Sequence, residues 1–175
     1  MTRFAHKQSG FTLVEIMIVV AIIALLAAIA IPNVLRGRAT ANESAAVGNL
    51  RALVASLEMF RSVNAVYPDA WMSDMYGANC TAGTAPDPDY GPPAFCVDLS
   101  SAQPVQGFSY LYTPAGGATP QTYDLNANPV TLGSTGTRTF WADESGQIYH
   151  CTGDSTTAAL PNGVVTIDQA PAACP

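Results

Sequence analysis

The sequence predicts an α+β protein in which one long N-terminal helix, half of it compatible with lipid and half amphipathic, packs on an antiparallel β-sheet. Three observations carry that prediction. An apolar run begins just after Gly10 and ends at Pro32, apolar residues then recur at helical spacing as far as Val63, and four β-rich segments separated by turn residues follow. With 175 residues there is room for one membrane segment and one modest globular domain.

The first ten residues are polar and carry Arg3 and Lys7; Gly10 is followed at once by Phe11-Thr12-Leu13-Val14-Glu15. The apolar run from Phe11 to Pro32 is long enough to cross a bilayer, since about 20 helical residues at about 1.5 Å each match a hydrocarbon core of about 30 Å. Glu15 is out of place in it. A charge at membrane depth costs several kcal/mol unless paired, so this carboxylate is read as functional. An ordinary secretory leader is cut after its apolar stretch, whereas here the short polar segment precedes it.

Beyond Pro32, Val47, Leu50, Val54 and Leu57 recur at steps of three and four, widened by Leu53 and Phe60, while Glu43, Asn49, Arg51, Glu58 and Arg61 supply polar faces. This predicts an amphipathic helix over 33–66, continuous in sequence with the apolar half over 11–32. Pro32 lacks an amide hydrogen and its ring crowds the preceding turn, so a kink or local loss of helix is expected there, with Gly37 as a second weak point. Tyr67-Pro68-Asp69 stops the helix.

From Ala70 to Pro104 the composition turns to Asp, Pro, Gly and Cys without periodicity, which predicts a long loop. Trp71, Met72, Met75 and Tyr76 within it read as core packing, with a surface for contacts between subunits as the alternative. Strands are predicted over 107–113, where Phe108, Tyr110 and Tyr112 alternate, and over 122–130, 138–142 and 147–151. Asp143-Glu144-Ser145-Gly146 reads as a hairpin turn, and short connections imply an antiparallel meander covering the apolar stripe of the helix. Residues 67–175 thus form the globular domain together with the second half of the helix.

Thirteen acidic against seven basic residues give a net charge of -6, and after Arg61 the only Lys or Arg is Arg138, so direct nucleic-acid binding is not expected. The four cysteines, Cys80, Cys96, Cys151 and Cys174, all follow the apolar span, which fits disulfides in an oxidising compartment. Of three connectivities, Cys80 with Cys96 and Cys151 with Cys174 is favoured, because each closes a loop of about 15 to 25 residues and contributes about 3 kcal/mol in the chain-entropy model. Basic residues flank the span equally, and the cysteines place the C-terminal part on the exported side.

Gly10-Phe11-Thr12-Leu13-Val14-Glu15, the basic leader before it, the apolar span and Pro32 resemble the N terminus of type IV pilins and of the pseudopilins of type II secretion. The resemblance implies cleavage between Gly10 and Phe11 by a membrane prepilin peptidase, N-methylation of Phe11, and assembly through Glu15 and Pro32. It also implies the partners: copies of the chain itself in a helical polymer, the peptidase and methyltransferase, the inner-membrane assembly platform and the membrane. The expected location is the inner membrane as a single-pass precursor with an exported C-terminal domain, then a surface pilus or a periplasmic pseudopilus.

Other chemistry finds little support. Phosphate loops and a Gly-x-Ser-x-Gly elbow are absent from the sequence, and with His6 in the leader any hydrolytic site would rest on His150 alone. Asp87, Asp89, Asp143, Glu144 and Asp154 raise calcium as a lesser reading, but their spacing is not that of an EF-hand and they read as solvated turn residues; no cofactor is expected. The function read from the sequence is a structural subunit of a pilus-like filament. A secretion pseudopilin is the alternative within the family, and a membrane-anchored periplasmic enzyme or binding protein is the alternative from another class.

Overall fold

The computed structural model describes residues 11–76, 90–100, 102–155, 157 and 159–175. One helix, α1 (Leu13–Asn64), spans the boundary between two compact units, the first ending at Gly37 and the second comprising Arg38–Pro175. In the first unit the most apolar stretch of helix, mean hydropathy 3.0, has none of its residues buried, and by length and composition it is able to cross a membrane. The expected loss of helix at Pro32 is not seen, as α1 contains it. Proline removes one hydrogen bond from a helix of 52 residues whose flanking turns persist, and Asn33 Nδ2 donates to the Ile29 carbonyl (3.2 Å) in the turn that the ring crowds.

The helix ends with Ala65 in the left-handed region (φ 61), its amide donating to the Arg61 carbonyl at 2.8 Å. This is the αL form of C-cap that glycine usually supplies. Tyr67 then anchors the exit. Its hydroxyl donates to Glu58 (2.5 Å) and accepts from Arg61 (2.9 Å), and burial followed by the bond to Glu58 pushes the phenol pKa up to about 12.

In the second unit a six-stranded antiparallel meander runs in chain order: β1 (Gln103–Val105), β2 (Phe108–Ala115), β3 (Thr122–Pro129), β4 (Arg138–Asp143), β5 (Ile148–Thr152) and β6 (Val165–Thr166). The four expected strands are present. β1 and β6 were not expected, and they flank the sheet as very short edge strands. The segment expected to be a loop also contains a short helix, α2 (Trp71–Met75), and a single 3-10 turn at Pro93–Phe95. Residues 77–89 of that segment lie outside the described residues.

Leu50, Leu53 and Leu57 of α1 are completely buried against Phe108, Tyr110, Tyr112, Leu125 and Phe140 of the sheet, each leucine worth about 2 kcal/mol of apolar burial. Trp71, Met75 and Tyr76 close one end of this core, as their composition suggested. Gly91 is required there, because a Cβ would fall on the Tyr76 hydroxyl, which donates to the Pro92 carbonyl (2.8 Å). The outer face of the sheet is covered too. Trp141 Nε1 (3.3 Å) and Asn126 Nδ2 (3.4 Å) both donate to the Thr157 carbonyl, and the Leu160 amide donates to Asp124 Oδ1 (3.0 Å), so a C-terminal strap lies across β3 and β4. This explains why four consecutive residues of β4, Thr139 to Ala142, are buried.

Candidate assembly site

At the start of α1 the side chains of Thr12 and Glu15 engage each other. The Thr12 amide and hydroxyl donate to Glu15 Oε2 at 2.8 and 2.7 Å, and the Glu15 amide donates back to the Thr12 hydroxyl at 3.3 Å. Thr-x-x-Glu is a capping box, in which residue and backbone satisfy each other's orphan donors at a helix N terminus. The sequence carried this signal in its spacing, but the reading of Glu15 as a membrane charge passed over it. Among the described residues Phe11 is the most exposed large apolar side chain at 84 %, and Leu13, Val14, Ile16 and Met17 beside Glu15 are exposed as well. The site is therefore a carboxylate, one turn into a helix, set in a fully uncovered apolar surface.

A second polar site joins α1 to the sheet. Glu43, read from the sequence as part of a polar face of the helix, is only 6 % exposed. Its Oε1 accepts from the Thr137 amide (2.6 Å) and hydroxyl (2.8 Å), and its Oε2 accepts from Arg138 Nε (2.9 Å) and pairs with Arg138 Nη2 (2.8 Å). Burial raises the pKa of this carboxyl, but the Thr137 bonds and the Arg138 bond and charge outweigh it and hold the net value below the usual carboxylate range.

Arg138 continues the network. Its Nη1 lies 3.2 Å from Nδ1 of His150, whose Nε2 lies 3.0 Å from the Gln169 carbonyl. Arginine only donates and a carbonyl only accepts, so Nδ1 is the acceptor and Nε2 carries the proton. His150 is 1 % exposed and both ring nitrogens are engaged, which makes it a structural residue.

Cys151 and Cys174 form a disulfide with Cα atoms 4.9 Å apart, closing 23 positions of sequence. The same tail is held by backbone bonds from Thr152 to Ala172 and from Cys174 to Thr152. Cys96 is disulfide-bonded as well, while Cys80, its expected partner, lies outside the described residues. Asp87 and Asp89 lie outside them too. Among the described residues no group of three His, Cys, Asp or Glu converges as a metal site would require; Asp143 instead accepts from the Ser145 amide (3.0 Å) in the predicted hairpin turn, and Glu144 and Asp154 are exposed.

Comparison with known proteins bears on the N-terminal site. Residues 5–31 match the family model described as the prokaryotic N-terminal methylation motif, and this window contains Gly10, Phe11 and Glu15. The likeness is to the type IV pilins and pseudopilins. The chain is 48 % identical over 68 residues to the type IV major pilin protein PilA of Myxococcus xanthus, covering 39 % of this chain and 31 % of that pilin. It is 43 % identical over 63 residues to type II secretion system core protein G of Vibrio cholerae, covering 36 % of this chain and 43 % of that protein. The corresponding Pseudomonas aeruginosa protein gives 44 % identity over 63 residues. This pilin-like chain therefore spans less than half the length of these relatives.

Proposed function

We propose that the chain is the structural subunit of a type IV pilus-like filament, made as an inner-membrane precursor, cut between Gly10 and Phe11, methylated on Phe11 and polymerised through α1. One observation carries the reading: the methylation motif runs into α1, which begins at Leu13, and the most apolar stretch of that helix has none of its residues buried within the monomer. Such a surface is stable in lipid before assembly and among copies of the same helix afterwards. Glu15 gives the incoming subunit a register, because a carboxylate in an apolar layer recovers part of its desolvation cost by pairing with the amino terminus of a neighbouring Phe11. The second unit would then form the filament surface, and no catalytic step is assigned to it. The partners are further copies of the chain, a prepilin peptidase and methyltransferase, and an assembly platform in the membrane.

The pseudopilin reading draws on the likeness to core protein G in several organisms and shares every step up to polymerisation. The two part at the product, a surface pilus or a short periplasmic filament. An anchored periplasmic hydrolase is disfavoured by His150, which is enclosed with both nitrogens occupied. Intact-mass analysis of sheared filaments tests the proposal. A subunit beginning at N-methylated Phe11 is expected; filaments whose subunits retain Met1 to Gly10, or protein found only as membrane-bound monomers, would overturn it.

A further inference from the structure

Between the strap and β6 the chain makes an exposed turn at Asn162-Gly163, the one Asn-Gly step in the sequence. Gly163 has φ +90 and open space where a Cβ would stand. Among the described residues no hydrogen bond engages its amide or the Asn162 carboxamide. The other asparagines differ. The side chains of Asn33, Asn42, Asn49, Asn64 and Asn126 all donate hydrogen bonds, Asn128 precedes Pro129, whose nitrogen has no hydrogen to lose, and Asn79 lies outside the described residues.

We infer that Asn162 is a site of spontaneous covalent modification, in which its own backbone supplies the nucleophile. The Gly163 amide nitrogen gives up its proton and attacks Cγ of Asn162; the N–Cγ bond forms, the Cγ–Nδ2 bond breaks, and the side-chain nitrogen leaves as ammonia. Water then adds to one of the two carbonyls of the resulting five-membered imide and breaks one of its C–N bonds. Opening on the side-chain carbonyl gives aspartate; opening on the backbone carbonyl gives β-linked aspartate, with one more carbon in the main chain. Glycine at 163 matters because a side chain there would crowd the attack and restrict the backbone. Either product adds one negative charge. The β-linked form also lengthens the turn between two anchors, the Leu160 amide on Asp124 (3.0 Å) and the pairing of Val165 with His150. Conversion accumulates with the age of the chain, and the inference stands independently of the filament reading.

The test is peptide mapping of the purified full-length chain after incubation in mildly alkaline and mildly acidic buffer, with enzymatic methylation of β-linked aspartate as the second readout. The acid and β-linked products at 162 are expected to accumulate ahead of those at the other asparagines, faster in alkali because the attacking amide must lose a proton. Asn162→Gln, which would need a larger ring, should reduce conversion to the background of the other positions. An unchanged amide at 162 while a synthetic peptide of residues 160–165 converts in the same buffer would overturn the inference. So would conversion that is no faster there than elsewhere.

Discussion

The Glu43 carboxylate on α1 and the Arg138 guanidinium on β4 meet at 2.8 Å although 95 positions separate them. With the two Thr137 bonds they set the register of the helix on the sheet, and through His150 they connect to the C-terminal segment. Removing Glu43 leaves the Thr137 amide and the Arg138 charge without their partner. Glu43→Ala is expected to lower stability by about 2–4 kcal/mol, read by urea unfolding at neutral pH.

The same carboxylate predicts acid sensitivity. Its folded pKa lies below the unfolded one, so its contribution is fully present above the ordinary carboxylate range and is lost as pH falls through the folded value. Wild-type stability should therefore decline below about pH 4.5. In Glu43→Gln, already weakened at neutral pH, the decline should be shallower, and parallel pH profiles for the two proteins would count against the assignment.

Ala65 occupies a conformation that costs a residue with a Cβ about 1–2 kcal/mol, at an exposed position. Ala65→Gly should raise stability by about 1 kcal/mol, after part of the gain is offset by greater freedom in the unfolded chain. Thermal unfolding checks the sign, and a lowered midpoint would show that the left-handed cap is not the solution structure.

The Cys151–Cys174 bond fixes the tail beside the last long strand. Replacing both cysteines with serine should cost about 3 kcal/mol and increase hydrogen exchange first in residues 165–174. Exchange that rises uniformly over the sheet would instead mean that the tail is part of one cooperative core.

Much of this fold was legible in local pattern. The steps of three and four through Leu50, Leu53 and Leu57 marked the buried stripe, the alternation of Phe108, Tyr110 and Tyr112 marked a half-buried strand, and Asp143 to Gly146 marked a turn. β1 and β6 escaped because three and two residues are too few to show a period, and only their pairing with β2 and β5 makes them strands. Glu43 escaped for a different reason. A charge on a helix ordinarily faces water, and the partners that bury this one lie beyond any local window. At the N terminus the out-of-place charge was legible, yet its Thr-x-x-Glu spacing also encodes a cap.

The charge of Glu15, to which the proposed function assigns assembly, can be separated from its cap, and this supplies the most direct test of assembly through the N-terminal helix. Glutamine retains the capping box but removes the charge, whereas Thr12→Val removes the cap and retains the charge. Filament yield is measured from cells carrying only the Glu15→Gln subunit, with leader cleavage followed in parallel. The prediction is normal processing and membrane insertion with filaments lost or greatly reduced, while Thr12→Val still assembles. Filaments of normal length and number from fully processed Glu15→Gln subunits would contradict it, and would leave Glu15 as a helix cap alone.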